Sequence, residues 1–336
     1  MAELGTAAAG PGVGVRVGSR RRASTDPQAL IEAARSGDPR ALARLVSLVE
    51  NESGDLRRVM TVIAPMAGTA HVIGLTGSPG VGKSTVTAAL VRSYRNEGLR
   101  VGVLAVDPSS PFTGGALLGD RVRMQDHATD DQVFIRSMAS RGHLGGLSRA
   151  APQAVRILDA AGFDFVLIET VGVGQAEVEI ASLADTALVV LAPGMGDSVQ
   201  AAKAGILEIA DVFVVNKNDR PGAQEVIRDL RTMLAMAPYD PQDWKPPIVS
   251  ISAASGDGIE DLAAAIGRHR DWLADTGQLA QRRRARAREE ISAIAVDALR
   301  QRIGGLPGES RLDELTERVI SGELDPYAAA DALISG

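Results

Sequence analysis

The sequence predicts an α/β fold in which a mostly parallel β-sheet is flanked by helices, with a helical extension before the sheet and a helical arm after it. Short apolar, β-branched runs alternate with helical patterns between residues 70 and 275, which is typical of a parallel sheet covered on both faces. A glycine-rich run at residues 77–84 lies between the first of these strands and its helix. After Gly277 the apolar pattern becomes that of helices alone.

Composition limits the classes of protein to consider. The chain has 336 residues and a formal net charge of −6, with 45% hydrophobic residues and no cysteine. The acidic balance does not favour nucleic-acid binding, and no apolar run approaches the roughly 20 residues that span a bilayer. The lack of cysteine excludes disulfides and thiolate metal sites. We therefore expect a cytoplasmic protein that binds neither nucleic acid nor membrane.

The chain divides into four predicted segments. Residues 1–25 are rich in Gly, Ala and Arg without periodicity, which predicts disorder. Residues 26–68 predict a helical N-terminal extension, because two Asp-Pro pairs can each supply an N-cap and a first helical residue. The α/β domain follows over residues 69–276, and a helical C-terminal arm over residues 277–336.

Within the α/β domain the apolar runs predict strands, and helical patterns lie between most of them. The predicted strands are 70–76, 100–106, 131–137, 163–169, 186–192, 211–216 and 247–252. The clearest helical patterns are 85–96, 147–161 and 221–236. Because functional groups of such sheets collect at the carboxyl ends of the strands, the residues that directly follow these strands are the candidates for a site.

The first strand runs into a complete phosphate-binding loop, Gly-Ser-Pro-Gly-Val-Gly-Lys-Ser at residues 77–84. The loop and the helix after it direct backbone N–H groups and a helix dipole at one point, which suits a polyphosphate. Lys83 is expected to reach the β- and γ-phosphates, and the Ser84 hydroxyl to bind Mg²⁺. The fold class is thus that of a P-loop NTPase. The expected phosphate-binding residues are Gly77, Ser78, Pro79, Gly80, Val81, Gly82, Lys83, Ser84 and Thr85.

A second motif, Asn-Lys-Asn-Asp at residues 216–219, follows a strand about 130 residues later. The Asp219 carboxylate can accept hydrogen bonds from N1–H and the N2 amine of guanine, whereas adenine would present it with a repulsive edge. The stem of Lys217 can lie along the base or ribose, and Asn216 would brace the loops. After the last strand, a backbone N–H within Ser252-Ala253-Ala254 can bind guanine O6. We therefore expect GTP and GDP as ligands.

Acidic residues follow two further strands. Glu169 occupies the place of a metal-binding acid, although most GTPases have Asp there, and Gly172 is expected to donate its N–H to the γ-phosphate. Asp107 follows the second strand, where an acid can face both the metal and the attacking water. Asp120 has two readings, a helix N-cap or a switch carboxylate near Mg²⁺.

Only four of the 36 basic residues are lysines, at positions 83, 203, 217 and 245. In so arginine-rich a chain, a retained lysine indicates a position that needs a compact ammonium group. Lys203 lies in the helix predicted after residues 193–197, which we expect to be a mobile element at the domain edge, and it is a candidate for reaching the nucleotide or a neighbouring chain. Gln175 lies two residues too late for the usual water-positioning glutamine, and His143 is more typical of a structural histidine. The sequence assigns no arginine finger, and the candidates are Arg121, Arg123, Arg141 or a residue of the partner.

The arm begins with a long, arginine-rich helical pattern over residues 278–304, and shorter helices are predicted at 310–321 and 325–334. We expect Arg282 to Arg288 to form a solvated helix face. The arm is too small to bury its own apolar stripe. The stripe must therefore pack on the body of the protein or on another chain, and we expect the arm to form a homodimer. The stripe consists of Ile291, Ile294, Ala298, Leu299 and Ile303.

Together these motifs resemble the MeaB/ArgK family of G proteins, which are associated with adenosylcobalamin-dependent methylmalonyl-CoA mutase. The resemblance covers roughly residues 27–336 and is carried by GSPGVGKS, VDPSSP, SRGHLGG, ETVGVGQAE and NKND. It implies a homodimeric GTPase chaperone that gates cofactor loading and protects or reactivates the mutase. It also implies Mg²⁺ contacts from Ser84, Asp107, Asp120 and Glu169, and a third switch around Asp197 to Lys203.

Taken together, the residues expected to act in hydrolysis are Lys83, Asp107, Glu169 and Lys203. Two other functions stay open on the sequence. One is an ATP-using kinase linked to arginine and ornithine transport, and the other is a scaffold whose helical arm binds a partner under nucleotide control.

Overall fold

The computed structural model of the chain describes residues 26–51, 54–108, 130–140, 150–170, 176–194, 206–236, 238–240, 242–303 and 306–335. The segment predicted to be disordered, residues 1–25, lies outside these ranges.

The described strands form one seven-stranded sheet in the order β3-β2-β4-β1-β5-β6-β7. The strands are β1 (His71–Thr76), β2 (Val101–Pro108), β3 (Val133–Ser140), β4 (Phe165–Thr170), β5 (Thr186–Leu191), β6 (Val212–Val215) and β7 (Ile248–Ser250). Every neighbouring pair of these strands is parallel. The predicted strands and the mostly parallel sheet are therefore confirmed.

Helices precede, separate and follow the strands. The extension contains α1 (Pro27–Arg35), α2 (Pro39–Glu50) and α3 (Leu56–Ile63), with a 3₁₀ turn at Ala64–Met66. The helices between strands are α4 (Lys83–Asn96), α5 (Ala150–Ala160), α6 (Ala176–Leu183) and α7 (Ala223–Met236), with a 3₁₀ turn at Ile206–Ile209. After the last strand come α8 (Ile259–Asp275), α9 (Gln278–Ile303), α10 (Leu306–Ile320) and α11 (Pro326–Ser335).

The two Asp-Pro pairs act at the helix starts as predicted. The Asp26 carboxylate accepts a hydrogen bond from the N–H of Ala29, and Asp38 accepts one from Arg40. Each proline occupies the first helical position, where its missing N–H leaves no helix bond unmade.

Aliphatic side chains cover both faces of the sheet. On one face, β1 and its neighbours pack against α4 and α8 through residues such as Ile73, Leu90 and Leu262. On the other face, strand residues such as Ile168 pack in one cluster with α5 and the N-terminal extension, which contributes residues such as Leu45. Because both faces are apolar and filled, polar groups of the loops collect at the two edges where the strands begin and end.

The edge where the strands begin holds two buried carboxylates, Asp185 before β5 and Asp211 before β6. Three arginines from the first turns of α9 contact them. Arg282 makes two hydrogen bonds of 2.8 Å to Asp211. Arg283 and Arg286 contact the two oxygens of Asp185 at 2.7 and 2.9 Å.

The predicted solvated face at Arg282–Arg288 is therefore wrong for three of its arginines. Arg284 and Arg288 are exposed, whereas Arg282, Arg283 and Arg286 are partly buried against the sheet. The three partly buried arginines share one side of α9, because positions 1, 2 and 5 of such a run lie within about a third of a helical turn. An arginine-rich run could not reveal this contact, since the carboxylates are about 70 to 100 residues away.

The ionisation of this edge follows from its surroundings. Burial opposes ionisation of Asp185, but the hydrogen bond from Arg283 and the charge of Arg286 outweigh it and hold the pKa of Asp185 below its ordinary value. Burial lowers the pKa of the neighbouring His71 to about 4, so this imidazole is neutral at pH 7. Its Nε2 lies 2.8 Å from the hydroxyl of Thr186, which itself lies 2.8 Å from His269 Nδ1.

The arm also exposes apolar side chains. Ile291, Ile294 and Leu299 of α9 are 68%, 52% and 51% exposed, and Tyr327 of α11 is 85% exposed. None of the helices in the described part of the chain combines the length and hydropathy needed to cross a bilayer.

We predict that Arg283→Met destabilises the protein by about 3 kcal/mol, because it removes a partner from a buried carboxylate. Arg283 also donates to the carbonyls of Gly68 and Ala70, so its loss affects the chain entering β1 as well. Urea unfolding followed by circular dichroism measures the difference. The control is Arg284→Met on the adjacent exposed position, expected to change the free energy of unfolding by less than about 0.5 kcal/mol. Equal effects of the two variants would contradict the prediction.

Candidate nucleotide-binding site

The glycine-rich run forms the loop between β1 and α4, at the edge where the strands end. Gly82 has φ +97°, and a Cβ atom built there would lie 2.5 Å from the amide nitrogen of Asn216. Gly77 has φ +138°, and a Cβ atom there would overlap the carbonyl oxygen of Val190 on β5. Both positions require glycine because of their backbone conformation and because another part of the chain lies against them.

Lys83 begins α4 and is buried. Its ammonium group donates hydrogen bonds to the carbonyls of Gly77 and Ser78, at 2.6 and 3.1 Å. The cation therefore lies inside the loop, where a bound phosphate would meet it. Ser84 and Thr85 occupy the first turn of the same helix, so their backbone N–H groups are at the helix N-terminus that suits an anion.

The Asn-Lys-x-Asp motif follows β6 and lies directly against the glycine-rich loop. The Asn216 side chain is buried; it donates to the carbonyl of Val81 at 2.9 Å and accepts from the N–H of Ala253 at 3.1 Å. Lys217 donates to the carbonyl of Gly80 at 2.7 Å. These bonds join three loops that are distant in sequence.

The backbone and exposure of the motif fit a binding role. Lys217 has φ +59°, the one positive φ of a non-glycine residue among those described. Such a conformation is costly for a residue with a Cβ atom and tends to occur at functional sites. Asp219 lies two residues further on and is exposed, so its carboxylate is accessible to a base.

The third loop follows β7 and contains the candidates for the guanine O6 contact. The N–H of Ser252 donates to the carbonyl of Asp257, and the N–H of Ala253 donates to Asn216. The candidate N–H for guanine O6 therefore narrows to that of Ala254, which is exposed beside them.

Glu169 lies on β4, opposite Leu75 of β1 in register, and is 2% exposed. Its Oε2 is 2.6 Å from the hydroxyl of Thr87, which lies one turn after Lys83 on α4. A buried carboxylate and the Ser84 hydroxyl near the start of α4 are hard oxygen donors, and these are the donors that Mg²⁺ prefers. Thr87 was not among the residues predicted from the sequence, although its spacing of four from Lys83 places both on one side of the helix.

The remaining predicted site residues are only partly described. The backbone of Asp107 pairs in register with Ala139 near the end of β2, and its side chain is not described. The other positions lie outside the described residues, namely Gly172, Asp120, Lys203, Gln175, His143, Arg121, Arg123 and Arg141. Their roles stay predictions.

Comparison with known proteins agrees with this geometry. Residues 42–306 match the family model described as methylmalonyl-CoA mutase-associated GTPase MeaB. The chain is 48% identical over 307 residues to a protein of Pyrococcus horikoshii that is named as a GTPase, covering 91% of this chain and 96% of that one. It is 35% identical over 266 residues to the mouse mitochondrial protein named methylmalonic aciduria type A homolog, covering 78% of this chain and 64% of that one.

Among solved structures, the crystal structure of a LAO/AO transport system kinase superposes with a TM-score of 0.68 at 27% identity. The match covers 91% of this chain and 96% of that one. Three observations point to the same family. They are the phosphate-binding loop, the Asn-Lys-x-Asp motif joined to it, and the family match over most of the chain. The chain is a GTPase and belongs to the MeaB family of methylmalonyl-CoA mutase-associated GTPases.

Proposed function

We propose that the protein is a Mg²⁺-dependent GTPase that acts as a chaperone of adenosylcobalamin-dependent methylmalonyl-CoA mutase. In this role it gates the loading of the cofactor and protects or reactivates the mutase. The observation that carries the GTPase part is the bonding of Asn216 and Lys217 to the glycine-rich loop. The mutase part is supported by the family description and by the name of the mouse relative. We place this activity in the cytoplasm, which the absence of cysteine supports.

In the proposed complex the nucleotide lies across the three joined loops. The loop amides at residues 77–85 and the Lys83 ammonium group bind the phosphates. The Asp219 carboxylate accepts from guanine, and the N–H of Ala254 donates to guanine O6. Because Asn216 contacts both Val81 and Ala253, its amide fixes the distance between the phosphate end and the base end of the site.

Hydrolysis proceeds by in-line attack of water on the γ-phosphate. Lys83 and the loop N–H groups, including that of Gly172, stabilise the charge that develops on the phosphate oxygens. Ser84 and Glu169 would hold Mg²⁺, with Asp107 and Asp120, and the ion would supply further neutralisation of that charge. Asp107 also orients the attacking water, and Lys203 reaches the nucleotide from the third switch.

The arm is proposed to join two copies of the chain. Three residues of the apolar stripe are more than half exposed, namely Ile291, Ile294 and Leu299. Their neighbours at the start of α9 are fixed to the sheet by ion pairs, so a second copy can meet the apolar stripe on a rigid support. Burying such a stripe removes apolar surface from water, which favours a homodimer.

An ATP-using kinase is the second candidate, because the solved structure with a TM-score of 0.68 is titled a transport system kinase.

We predict that the wild type prefers guanine nucleotides and that Asp219→Asn weakens GDP binding by about 10²-fold or more, with a gain for xanthosine nucleotides. Isothermal titration calorimetry measures these affinities. The control is Asn218→Ala, at the exposed neighbouring position, expected to stay within about threefold of wild type. Equal affinity of the wild type for ATP and GTP would favour the kinase.

The mutase role predicts nucleotide-dependent binding to a cobalamin enzyme. We expect the immobilised protein with a non-hydrolysable GTP analogue to retain such an enzyme from native extract, identified by mass spectrometry and by cobalamin absorbance. Lys83→Ala is the control and should retain less, because it cannot bind the phosphates. If the wild type with the GTP analogue retains no cobalamin enzyme, the chaperone role is wrong. Equal mutase protection by Lys83→Ala and wild type would favour a scaffold instead.

For the dimer, we predict that the double variant Ile294→Glu with Leu299→Glu is a monomer by light scattering, because two carboxylates enter the apolar contact. The matched control is Ala293→Glu, an exposed position on the opposite side of α9, which should leave the dimer intact. A double variant that keeps the mass of a dimer would place the interface elsewhere.

A further inference from the structure

We propose that Thr87 is a positioning residue of the GTPase site, whose hydroxyl holds the Glu169 carboxylate in the orientation that supports Mg²⁺ binding. This inference rests on the proposed function, because it takes Glu169 to be the acid of the magnesium site. It adds a residue that lies outside the phosphate-binding motif.

The contact between the two side chains is buried on both sides. Thr87 is 0% exposed and Glu169 is 2% exposed. The distance of 2.6 Å between Thr87 Oγ1 and Glu169 Oε2 is in the range of a hydroxyl that donates to a carboxylate. Such charge-assisted bonds are about twice as strong as those between neutral groups.

The hydroxyl itself is held in place by the helix. Thr87 Oγ1 also lies 3.1 Å from the carbonyl oxygen of Lys83, one turn earlier on α4. Because the hydroxyl has one proton and donates it to Glu169, the carbonyl contact is not a second full bond. The restraint on χ1 comes from β-branching, which leaves few rotamers in a helix. The hydroxyl therefore keeps a fixed position relative to the residues that bind phosphate.

Glutamate needs such a partner more than aspartate does. Glu169 has one more methylene than the aspartate usual at this place in GTPases, so its carboxylate has one more torsion to restrain. The bond to Thr87 engages Oε2 and so restrains the orientation in which the carboxylate would face Mg²⁺. Partners of metal-binding groups act in this way, and their loss commonly lowers metal affinity by 10- to 100-fold.

If Thr87 had only a structural role, its loss would not change the Mg²⁺ dependence of nucleotide binding. Another threonine of the chain serves as a matched control. Thr232 on α7 makes the same contact with a carbonyl one turn earlier, at 3.0 Å to Arg228, and is exposed. Replacing either threonine by valine keeps the shape and removes the hydroxyl. Only the change at Thr87 also removes a bond to a carboxylate.

The experiment measures binding of a fluorescent GDP analogue while Mg²⁺ is titrated, and repeats the measurement in EDTA. Thr87→Val is expected to raise the half-saturating Mg²⁺ concentration about tenfold, while GDP affinity in EDTA changes less than about twofold. Thr87→Ser keeps the hydroxyl and should stay within about threefold of wild type. Thr232→Val should match wild type. Circular dichroism melting checks folding, and Thr87→Ala serves if the valine variant does not fold.

Two results would overturn the inference. One is a Thr87→Val variant with the Mg²⁺ dependence of Thr232→Val, and the other is an equal loss of GDP affinity with and without Mg²⁺. Glu169→Gln separates this failure from that of the proposed function. If Glu169→Gln raises the Mg²⁺ requirement and Thr87→Val does not, only the role of Thr87 is wrong. If Glu169→Gln has no effect, the magnesium role of Glu169 is wrong as well.

Discussion

The glycine-rich loop and the Asn216 side chain approach each other so closely that a single Cβ atom at Gly82 would fill the space between them. The amide of Asn216 uses this closeness to bond the carbonyl of Val81 on one side and the N–H of Ala253 on the other. Strands β1 and β6 are separated in the sheet by β5, so the contact crosses a strand rather than following one. The arrangement proposed for phosphate and base recognition therefore depends on one buried amide and one glycine.

The opposite edge of the sheet, where the strands begin, contains buried charges. Asp185 and Asp211 bond the backbone N–H groups of Val72 and Ala187, so these carboxylates help to set the register of the strand starts. Leaving them unpaired in the interior would be costly, and the arginines of α9 neutralise them. The long helix is thereby fixed to the same strands whose other ends carry the nucleotide site.

The structure gives a physical reason for two of the few lysines in the chain. Lys83 and Lys217 both donate to carbonyls of the glycine-rich loop, at 2.6 and 2.7 Å for their shortest contacts. A slim stem that ends in a compact ammonium group fits between backbone segments where a planar guanidinium does not. Lys245 has a different partner, since its ammonium group lies over the ring of Tyr239, 6.0 Å from the ring centroid.

The amino-acid sequence was enough to predict the succession of strands and helices along the chain, the parallel sheet and the glycine-rich loop. These features follow from apolar periodicity and from glycine spacing, which act over a few neighbouring residues. It also indicated the guanine motif, since Asn216 and Asp219 belong to one short run at a strand end. Contacts between residues far apart in the sequence follow only from the folded structure. Arg283 is partly buried because it pairs with a carboxylate 98 positions earlier in the chain, and Thr87 contacts Glu169 across 82 positions. Hydrogen bonds and ion pairs of that kind leave no periodic trace in the chain, because they depend on which surfaces the packed core brings together.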